Sequence, residues 1–344
     1  MQVIASAPGK LVLLGEYAVL EGAPALVMAV NRRARVTLTE IGGEYIAVSA
    51  PALGITAECR LHADGKVEWL GDARLIDQLR LVTAVLEDNM AAGMARAFRA
   101  ELDTDSFFLD AHGERAKLGL GSSAALTVAL AGALCVMQGR PAPSVDSLIG
   151  LHRRMQNGRG SGLDIAAALH GGVLIYQVKN DGVPASSPAL LPRGLAWCCV
   201  WAGESASTGD FLARIAHWAG LEPQQYNAVM DGLKAKAIAG TDAIQCGDAN
   251  AFMQALGAYL EDLAQLGVAS GVDIVSREHR EIAAAAVACG VAYKSCGAGG
   301  GDAGIAFSMD DAQLADFRQR ITQAGFRTLD LAVDPQGLEA QIIN

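Results

Sequence analysis

The sequence predicts an α+β protein in two parts. Three observations carry that expectation: short runs rich in Val, Leu and Ile bounded by Gly and Pro near the start of the chain, longer stretches whose apolar residues recur at three and four positions, and a second half in which such strands and helices alternate. A length of 344 residues suits roughly two domains of about 150 residues each. Hydrophobic residues make up 51% and charged residues 19%, which excludes a chain kept disordered by low hydrophobicity and high charge.

In order along the chain, residues 3–6, 11–14, 25–30 and 34–39 read as strands separated by Gly/Pro turns. Leu75, Ile76, Leu79, Val82, Val85 and Leu86 then fall on one helical face and predict a helix over 75–94. A strand is expected at 107–111. Residues 124–137 are an uncharged, apolar run, too short to cross a membrane and suited to a buried core helix. Residues 171–177 (GGVLIYQ) and 197–201 (WCCVW) read as strands flanking the Pro/Ser-rich stretch 183–194. A domain boundary is therefore expected near 185, giving an N-terminal domain over 1–185 and a C-terminal one over 186–344. The second part is predicted to carry helices at 208–218, 250–266 and 276–289, a strand at 291–294, a glycine loop, a strand at 304–308, a helix at 310–324 and a last strand at 327–333. No internal repeat is evident.

Lys plus Arg number 27 against 37 Asp plus Glu, a net charge of −10, which argues against a general nucleic-acid or anionic-membrane binder. An anionic ligand must then find a local positive pocket. Seven cysteines without a C-x-x-C pair predict neither a disulfide framework nor a zinc site. The opening MQVIASAPGK has no basic region and meets Pro8 before any apolar stretch of signal-peptide length. Together these point to a reducing, cytoplasmic setting.

Four clusters have the composition of chemistry-bearing segments. In the first, Ala7 to Ala18, Lys10 opens a strand and Glu16 and Tyr17 follow its far end. The strand between Lys10 and Glu16 spans roughly 20 Å, so the two could line opposite sides of one elongated site; an edge lysine and a capping glutamate are the plainer alternative. In the second, Gly119, Leu120, Gly121, Ser122, Ser123 and Ala124 run directly into the apolar helix. Small residues let backbone approach a ligand, and free N–H groups at a helix start attract phosphate. The hydroxyls can add donors or Mg²⁺ ligands, although either serine could simply cap the helix. Neither G-x-x-x-x-G-K-[ST] nor G-x-S-x-G occurs in the chain. The same six residues fit G-x-G-x-x-A, which keeps a Rossmann-type dinucleotide-dependent oxidoreductase as a remote alternative, weakened by the charged stretch that stands where a strand should lead in.

The third cluster, Asn157 to Asp164, ends a glycine loop on an acid that can accept or orient a hydroxyl proton as a phosphoryl group arrives, or merely cap the helix after it. The fourth, Lys294 to Gly304, holds five glycines, at 297, 299, 300, 301 and 304. Its run of backbone N–H groups is a natural anion nest. Cys296 has no base placed beside it by sequence and reads as lining. The six histidines are scattered without a metal-binding spacing and read as surface or core residues.

Taken in this order, the clusters resemble the three signature motifs of the GHMP kinases, from Pro8 to Ser308. That resemblance implies a GHMP kinase fold, with an N-terminal domain like the second domain of ribosomal protein S5, a ferredoxin-like C-terminal domain and MgATP in the cleft between them. It implies catalytic roles for Lys10 and Asp164, ATP binding by Gly119 to Ala124, and Mg²⁺ at Ser123. Substrate binding falls to Glu16, Tyr17, Arg159, Ser161, Ser207, Thr208, Gly299 and Gly300. Within the family the details are most similar to the phosphomevalonate kinase branch: Gly15-Glu16-Tyr17 where mevalonate kinases usually have Gly-Glu-His, Gly160-Ser161-Gly162-Leu163-Asp164, and Trp201-Ala202-Gly203 to Thr208. Mevalonate kinases carry a Mg²⁺-binding glutamate about eleven residues before the equivalent of Asp164, and Arg153 stands there instead. The expected activity is thus phosphorylation of 5-phosphomevalonate, with mevalonate kinase or another small-molecule kinase of the family as the alternative. The expected partner is a small phosphorylated substrate, not nucleic acid or membrane, in a monomer or homodimer. Lys10, Arg153, Arg154, Arg159 and Lys294 are the cations expected in or beside the clusters.

Overall fold

A computed structural model describes residues 1–71, 73–90, 97–111, 113–155, 160–179, 182–203 and 208–343. The first part of the chain runs β1 (Gln2–Leu14), β2 (Ala25–Glu40), β3 (Ile46–Ala50), β4 (Ile55–Leu61), β5 (Val67–Leu70), α1 (Ala73–Gln78), α2 (Arg80–Asn89), β6 (Phe98–Asp103), β7 (Phe108–Ala111) and β8 (Glu114–Lys117). It continues through α3 (Ser122–Met137), α4 (Val145–Met155), α5 (Leu163–His170), β9 (Val173–Val178) and β10 (Pro184–Ala189). The second part runs β11 (Ala196–Gly203), α6 (Thr208–Leu221), α7 (Pro223–Cys246), α8 (Ala249–Ser270), α9 (Arg277–Ala288), β12 (Ala292–Ser295), β13 (Asp302–Ser308), α10 (Asp311–Gln323), β14 (Arg327–Leu329) and β15 (Glu339–Ile343).

The large sheet has the order β10-β9-β2-β6-β3-β4-β5, with β1 paired to β2 and to β15. The small sheet has the order β12-β13-β11-β14 and is antiparallel throughout. Numbered within the second part alone, its strands read 2-3-1-4, with helices following the first and third strands. That is the ferredoxin-like arrangement the motifs imply, with α6, α7 and α8 inserted between the first strand and α9.

Helix α3 is the rod of the first core. Thirteen of its sixteen residues are buried, and a helix apolar on every side is stable only inside a molecule. A second core joins the two parts, packing Leu11, Leu13 and Leu14 of β1 with Leu233 of α7, Phe252 and Tyr259 of α8 and Ile305 of β13. A side chain at Gly240 of α7 would strike Leu14, so the long helices lie directly on the end of β1.

Several expectations change. The paired predictions 3–6 with 11–14, and 25–30 with 34–39, are each one long strand. Pro8, which reads as a breaker, sits where the β1–β2 register shifts between Pro8 and Gly9, and a bulge accommodates the missing N–H. The helix expected over 75–94 divides at Leu79, and residues 91–96 lie outside the described residues. A boundary at 185 would cut β10, which pairs with β9 in the large sheet. Pro184 and Pro188 read as a linker, yet an edge strand tolerates proline. The chain changes sheets instead between Ala189 and Ala196, and β15 returns to pair with β1. Helix α7 was not expected: its buried face is Met230, Leu233, Ala237, Gly240, Thr241, Ala243 and Ile244, where small residues mask the apolar period.

Candidate active site

The candidate phosphate cradle forms where the β7–β8 hairpin delivers the chain to α3. Gly119 and Gly121 have φ of 71° and 78°, values that favour glycine. A Cβ on Gly119 would also collide with the side chain of Asp302, so the second and fourth clusters touch. Gly121 takes the N-cap position of α3 and supplies no side-chain cap, leaving the first-turn N–H groups and the positive end of the helix dipole facing the cavity. Ser122 is buried and Ser123 exposed, and both line the cavity with Gly119, Gly121 and Ala124. Leu120 does not line it. Its side chain is fully buried and its carbonyl accepts the Lys10 N–H at 2.8 Å.

Lys10 bridges two glycine loops. Its stem lies against Gly121, and its Nζ is 3.8 Å from where a Cβ on Gly297 would stand. Within β1 Ala7, Pro8 and Gly9 before it and Leu11 to Leu14 after it are all buried, and Lys10 alone in that stretch keeps intermediate exposure. Beyond the end of β1, Tyr17 has φ of 61°, an unusual left-handed conformation for a large side chain. It holds a hydrogen bond of 2.5 Å from its hydroxyl to the Ala298 carbonyl. Burial, then the neighbouring Glu16 carboxylate, push the Tyr17 hydroxyl above the ordinary tyrosine range, so it remains a proton donor.

Glu16 is clamped. Its Oε1 accepts from Lys294 Nζ at 2.5 Å and from the Gly297 N–H at 3.1 Å, and its backbone carbonyl accepts from the Tyr259 hydroxyl at 2.6 Å. Its Oε2 is buried with no hydrogen-bond partner among the described residues, and the residue lines the cavity. Lys294, expected as a site cation, is fully buried and committed to this pair and to the Ser295 carbonyl. A lysine removed from water is held only by such partners.

Asp164 is the second residue of α5, whose N-cap is Gly162. The acid therefore sits in the first turn, where the helix dipole favours it, and its Oδ1 accepts the Ile165 N–H at 2.9 Å. Its side chain is 26% exposed and lines the cavity, with Oδ2 3.9 Å from Nδ1 of His152. Ser161 is buried against the same wall, its hydroxyl accepting the Leu163 N–H at 3.3 Å and its carbonyl accepting from the Tyr176 hydroxyl at 2.6 Å. Arg153 donates to the carbonyls of Gly160 and Ser161 at 3.0 and 3.2 Å, and Arg154 pairs with Asp88. These two arginines support protein structure rather than crowding the glycine loops as bare cations.

Lys10, Glu16, Tyr17, the cradle residues other than Leu120, Ser161 and Asp164 thus share one cavity of about 280 Å³, whose wall also includes Lys117, His152, Leu212, Gly297, Ala298 and Asp302. Gly299 and Gly300 do not line it. Gly299 packs on the Ile274 backbone, and the Gly300 N–H donates to the Ile274 carbonyl at 2.8 Å. Cys296 lies buried behind the same loop, its thiol pushed up to about 12 by burial, and is neither lining nor nucleophile. Arg159 and Ser207 lie outside the described residues; Thr208 begins α6. A second cavity, of about 390 Å³, adjoins the first at Tyr17, Val19, Leu20, Gly160, Ser161 and Leu212. Among the described residues no group of three His, Cys, Asp or Glu side chains could hold a metal. Lys117 and His152 were missed: the first ends a short strand that carries no motif, and the second belongs to a helix whose relation to α5 is not local in sequence.

A family model for the GHMP kinases N terminal domain matches residues 89–172. Over 98% of both chains the sequence is 28% identical to a phosphomevalonate kinase of Streptomyces sp. (strain CL190). It is 33% identical to a mevalonate kinase of Aeropyrum pernix over 52% of each chain. The fold is that of a Streptococcus pneumoniae phosphomevalonate kinase solved with phosphomevalonate and AMPPNP, at a TM-score of 0.76 and 20% identity, covering 96% of this chain and 99% of that one. The chain thus contains a GHMP kinases N terminal domain, is similar along nearly its whole length to a kinase, and has the GHMP kinase fold that the motifs implied.

Proposed function

We propose that the protein transfers the γ-phosphoryl group of ATP to the phosphate of 5-phosphomevalonate, giving 5-diphosphomevalonate and ADP. The observation that carries this reading is that an uncapped helix start, a lysine and a carboxylate, supplied by three separate clusters, line one cavity. The residues present fit a nucleotide triphosphate, because Gly119 and Gly121 leave the loop without side chains where backbone N–H groups face the cavity. Bound MgATP supplies the phosphoryl group and a leaving group whose charge the metal shares. The N–H groups of the cradle would bind phosphate oxygens, and Ser123 would be the hydroxyl that holds the metal. Lys10 stabilises charge that grows on the transferred group. Asp164 accepts the proton of a protonated acceptor oxygen: the O–H bond breaks, its electron pair attacks phosphorus, and the proton stays on the carboxylate.

The choice of acceptor is supported by the full-length similarity to a phosphomevalonate kinase and by Arg153. Where mevalonate kinases place a glutamate, this guanidinium is bound to two loop carbonyls. Arg159, Ser161, Ser207 and Thr208 would surround the acceptor's phosphate, and Glu16 and Tyr17 the rest of it. The shorter but higher-identity match to a mevalonate kinase favours the second reading, in which mevalonate itself is the acceptor.

Incubation with MgATP and a panel of 5-phosphomevalonate, mevalonate, galactose and homoserine separates these readings. We expect kcat/KM for mevalonate to be at least about 10²-fold lower, because two lost charge-assisted hydrogen bonds of about 1.5–3 kcal/mol each exceed that factor. Arg159→Gln should narrow the preference. Equal or better turnover of mevalonate assigns the second reading.

A further inference from the structure

Two consecutive residues of α4 reach the turn that carries Asp164. Arg153 holds the main chain of that turn through Gly160 and Ser161. His152 faces the carboxylate itself. The imidazole is 3% exposed, lines the cavity, and places Nδ1 3.9 Å from Oδ2. That separation is longer than a hydrogen bond, and catalytic contacts of this kind commonly tighten only when substrate arrives.

The two ends of the pair are unequally tied. Asp164 Oδ1 is held by the Ile165 N–H, so the carboxylate can adjust mainly by bringing Oδ2 toward or away from His152. On the other side of the ring, Nε2 is buried with no hydrogen-bond partner among the described residues. A buried polar atom left unpaired costs stability, and a leucine or phenylalanine would fill the same space without that cost. The histidine is better explained by its nitrogen beside Asp164 than by packing.

We propose that His152 is a positioning residue for Asp164, its Nδ1–H donating to Oδ2 and fixing the rotation of the carboxylate as the acceptor binds. Nε2 is then the bare nitrogen of the neutral ring. A carboxylate oxygen has two lone pairs, so Oδ2 can accept from His152 and still receive the acceptor's proton. This rests on the reading of Asp164 as proton acceptor given above. It also explains the adjacent pair: Arg153 sets where the turn lies, and His152 sets which way its acid points.

The test compares His152→Leu, His152→Asn and His152→Gln with the native enzyme for kcat, both KM values and thermal midpoint, with ATP and 5-phosphomevalonate. His152→Leu should lower kcat by about tenfold or more, with KM for ATP changed less than about twofold and the thermal midpoint unchanged or raised. The asparagine amide can reach the place of Nδ1 and the glutamine amide that of Nε2, so Asn should recover more kcat than Gln. Combined with Asp164→Asn, the leucine variant should add no further loss, because there is no longer a proton-accepting carboxylate to orient. Turnover of His152→Leu within about twofold of native, Gln recovering as well as Asn, or losses that multiply in the double variant would each overturn the proposal. Should the leucine variant not fold, the Asn and Gln pair decides alone. Asp164→Asn measured beside them separates two failures: undiminished turnover there removes the role of Asp164 itself, whereas a strong loss there with His152→Leu unaffected removes only the positioning.

Discussion

Asp164 combines the two readings its sequence context leaves open, since it closes the first turn of α5 through the Ile165 N–H and offers Oδ2 to the cavity. Asp164→Asn keeps the shape and loses the proton-accepting group, so kcat should fall about 10²-fold or more while the thermal midpoint holds. With a phosphate acceptor the deficit has a pH signature. The acceptor's second pKa lies near 6, and only its monoanion has a proton to give, so the deficit should shrink as pH rises above that value. A deficit that stays constant from about pH 5.5 to 8 across that pKa assigns Asp164 to orientation alone. Lys10 makes a different prediction. Lys10→Met should lower kcat more than it raises KM for ATP, because a cation beside the transferred group acts chiefly on transition-state charge. A change confined to KM would move Lys10 to ground-state nucleotide binding. Lys294 shows why a count of cations in the motifs misleads: its ammonium is spent on a buried carboxylate 2.5 Å away, and among the described residues the lysines left in the cavity wall are Lys10 and Lys117.

The glycine loop between β12 and β13 depends on α9. His279 is fully buried, its Nδ1 2.7 Å from the Tyr293 hydroxyl and its Nε2 2.7 Å from the Gly301 carbonyl. Nε2–H is therefore the donor to Gly301, and Nδ1 accepts from Tyr293. Burial is the main cause that pulls this imidazole below the ordinary histidine range. The neutral ring is thus the folded form, and between the folded and unfolded pKa values the unfolded chain binds the extra proton. Its contribution is present above about pH 6.5 and is lost as pH falls below that value. Urea unfolding at pH 7.5 and 5.0 should show the native protein losing stability on acidification, and His279→Gln should flatten that slope. The substitution should cost about 1–3 kcal/mol at neutral pH, since it leaves a buried hydroxyl or carbonyl unpaired. An unchanged slope would mean that groups other than His279 set the acid sensitivity in this range.

The two sheets are not separable units. β1 is covered on one edge by β15 from the far end of the chain, through the register pairs Gln2 with Ile343 to Ser6 with Glu339. Arg33 ties the approach to that strand, pairing with Asp334 at 2.7 Å and donating to the Gly337 carbonyl at 2.7 Å. Leu338 closes over Gly132 of α3. Truncation after Leu338 keeps that plug and removes only β15. It should lower stability by about 1–3 kcal/mol, a few net hydrogen bonds at ~1 kcal/mol each, and leave the edge of β1 open to pairing with a second chain. A thermal melt and a sedimentation profile of the truncated protein test both parts. An unchanged melt would show that β15 merely rests on the sheet. No helix among the described residues is long and apolar enough to cross a membrane.

How much of this was legible in the sequence follows from the range of the forces involved. The glycine turn before α3, the start of that helix without a side-chain cap and the acid in the first turn of α5 were readable because each is a local feature: glycine where the backbone takes a positive φ, small residues at a helix start, a carboxylate near a helix N-terminus. The buried rod of α3 was readable from a fourteen-residue, mostly apolar run without a charge. Other features came only from tertiary packing. Lys294 and Glu16 lie 278 positions apart, and nothing in either neighbourhood says that one will neutralise the other. Gly299 and Gly300 look like the rest of their loop, yet Gly299 packs on the Ile274 backbone and the Gly300 N–H is spent on the Ile274 carbonyl. His152 gains a functional neighbour only because α4 and α5 pack together, and β10 and β15 find their places only because a long sheet has edges to cover. Local chemistry decides what a segment is able to do, while burial and neighbours brought from elsewhere in the chain decide which of its charged and polar groups remain available to do it.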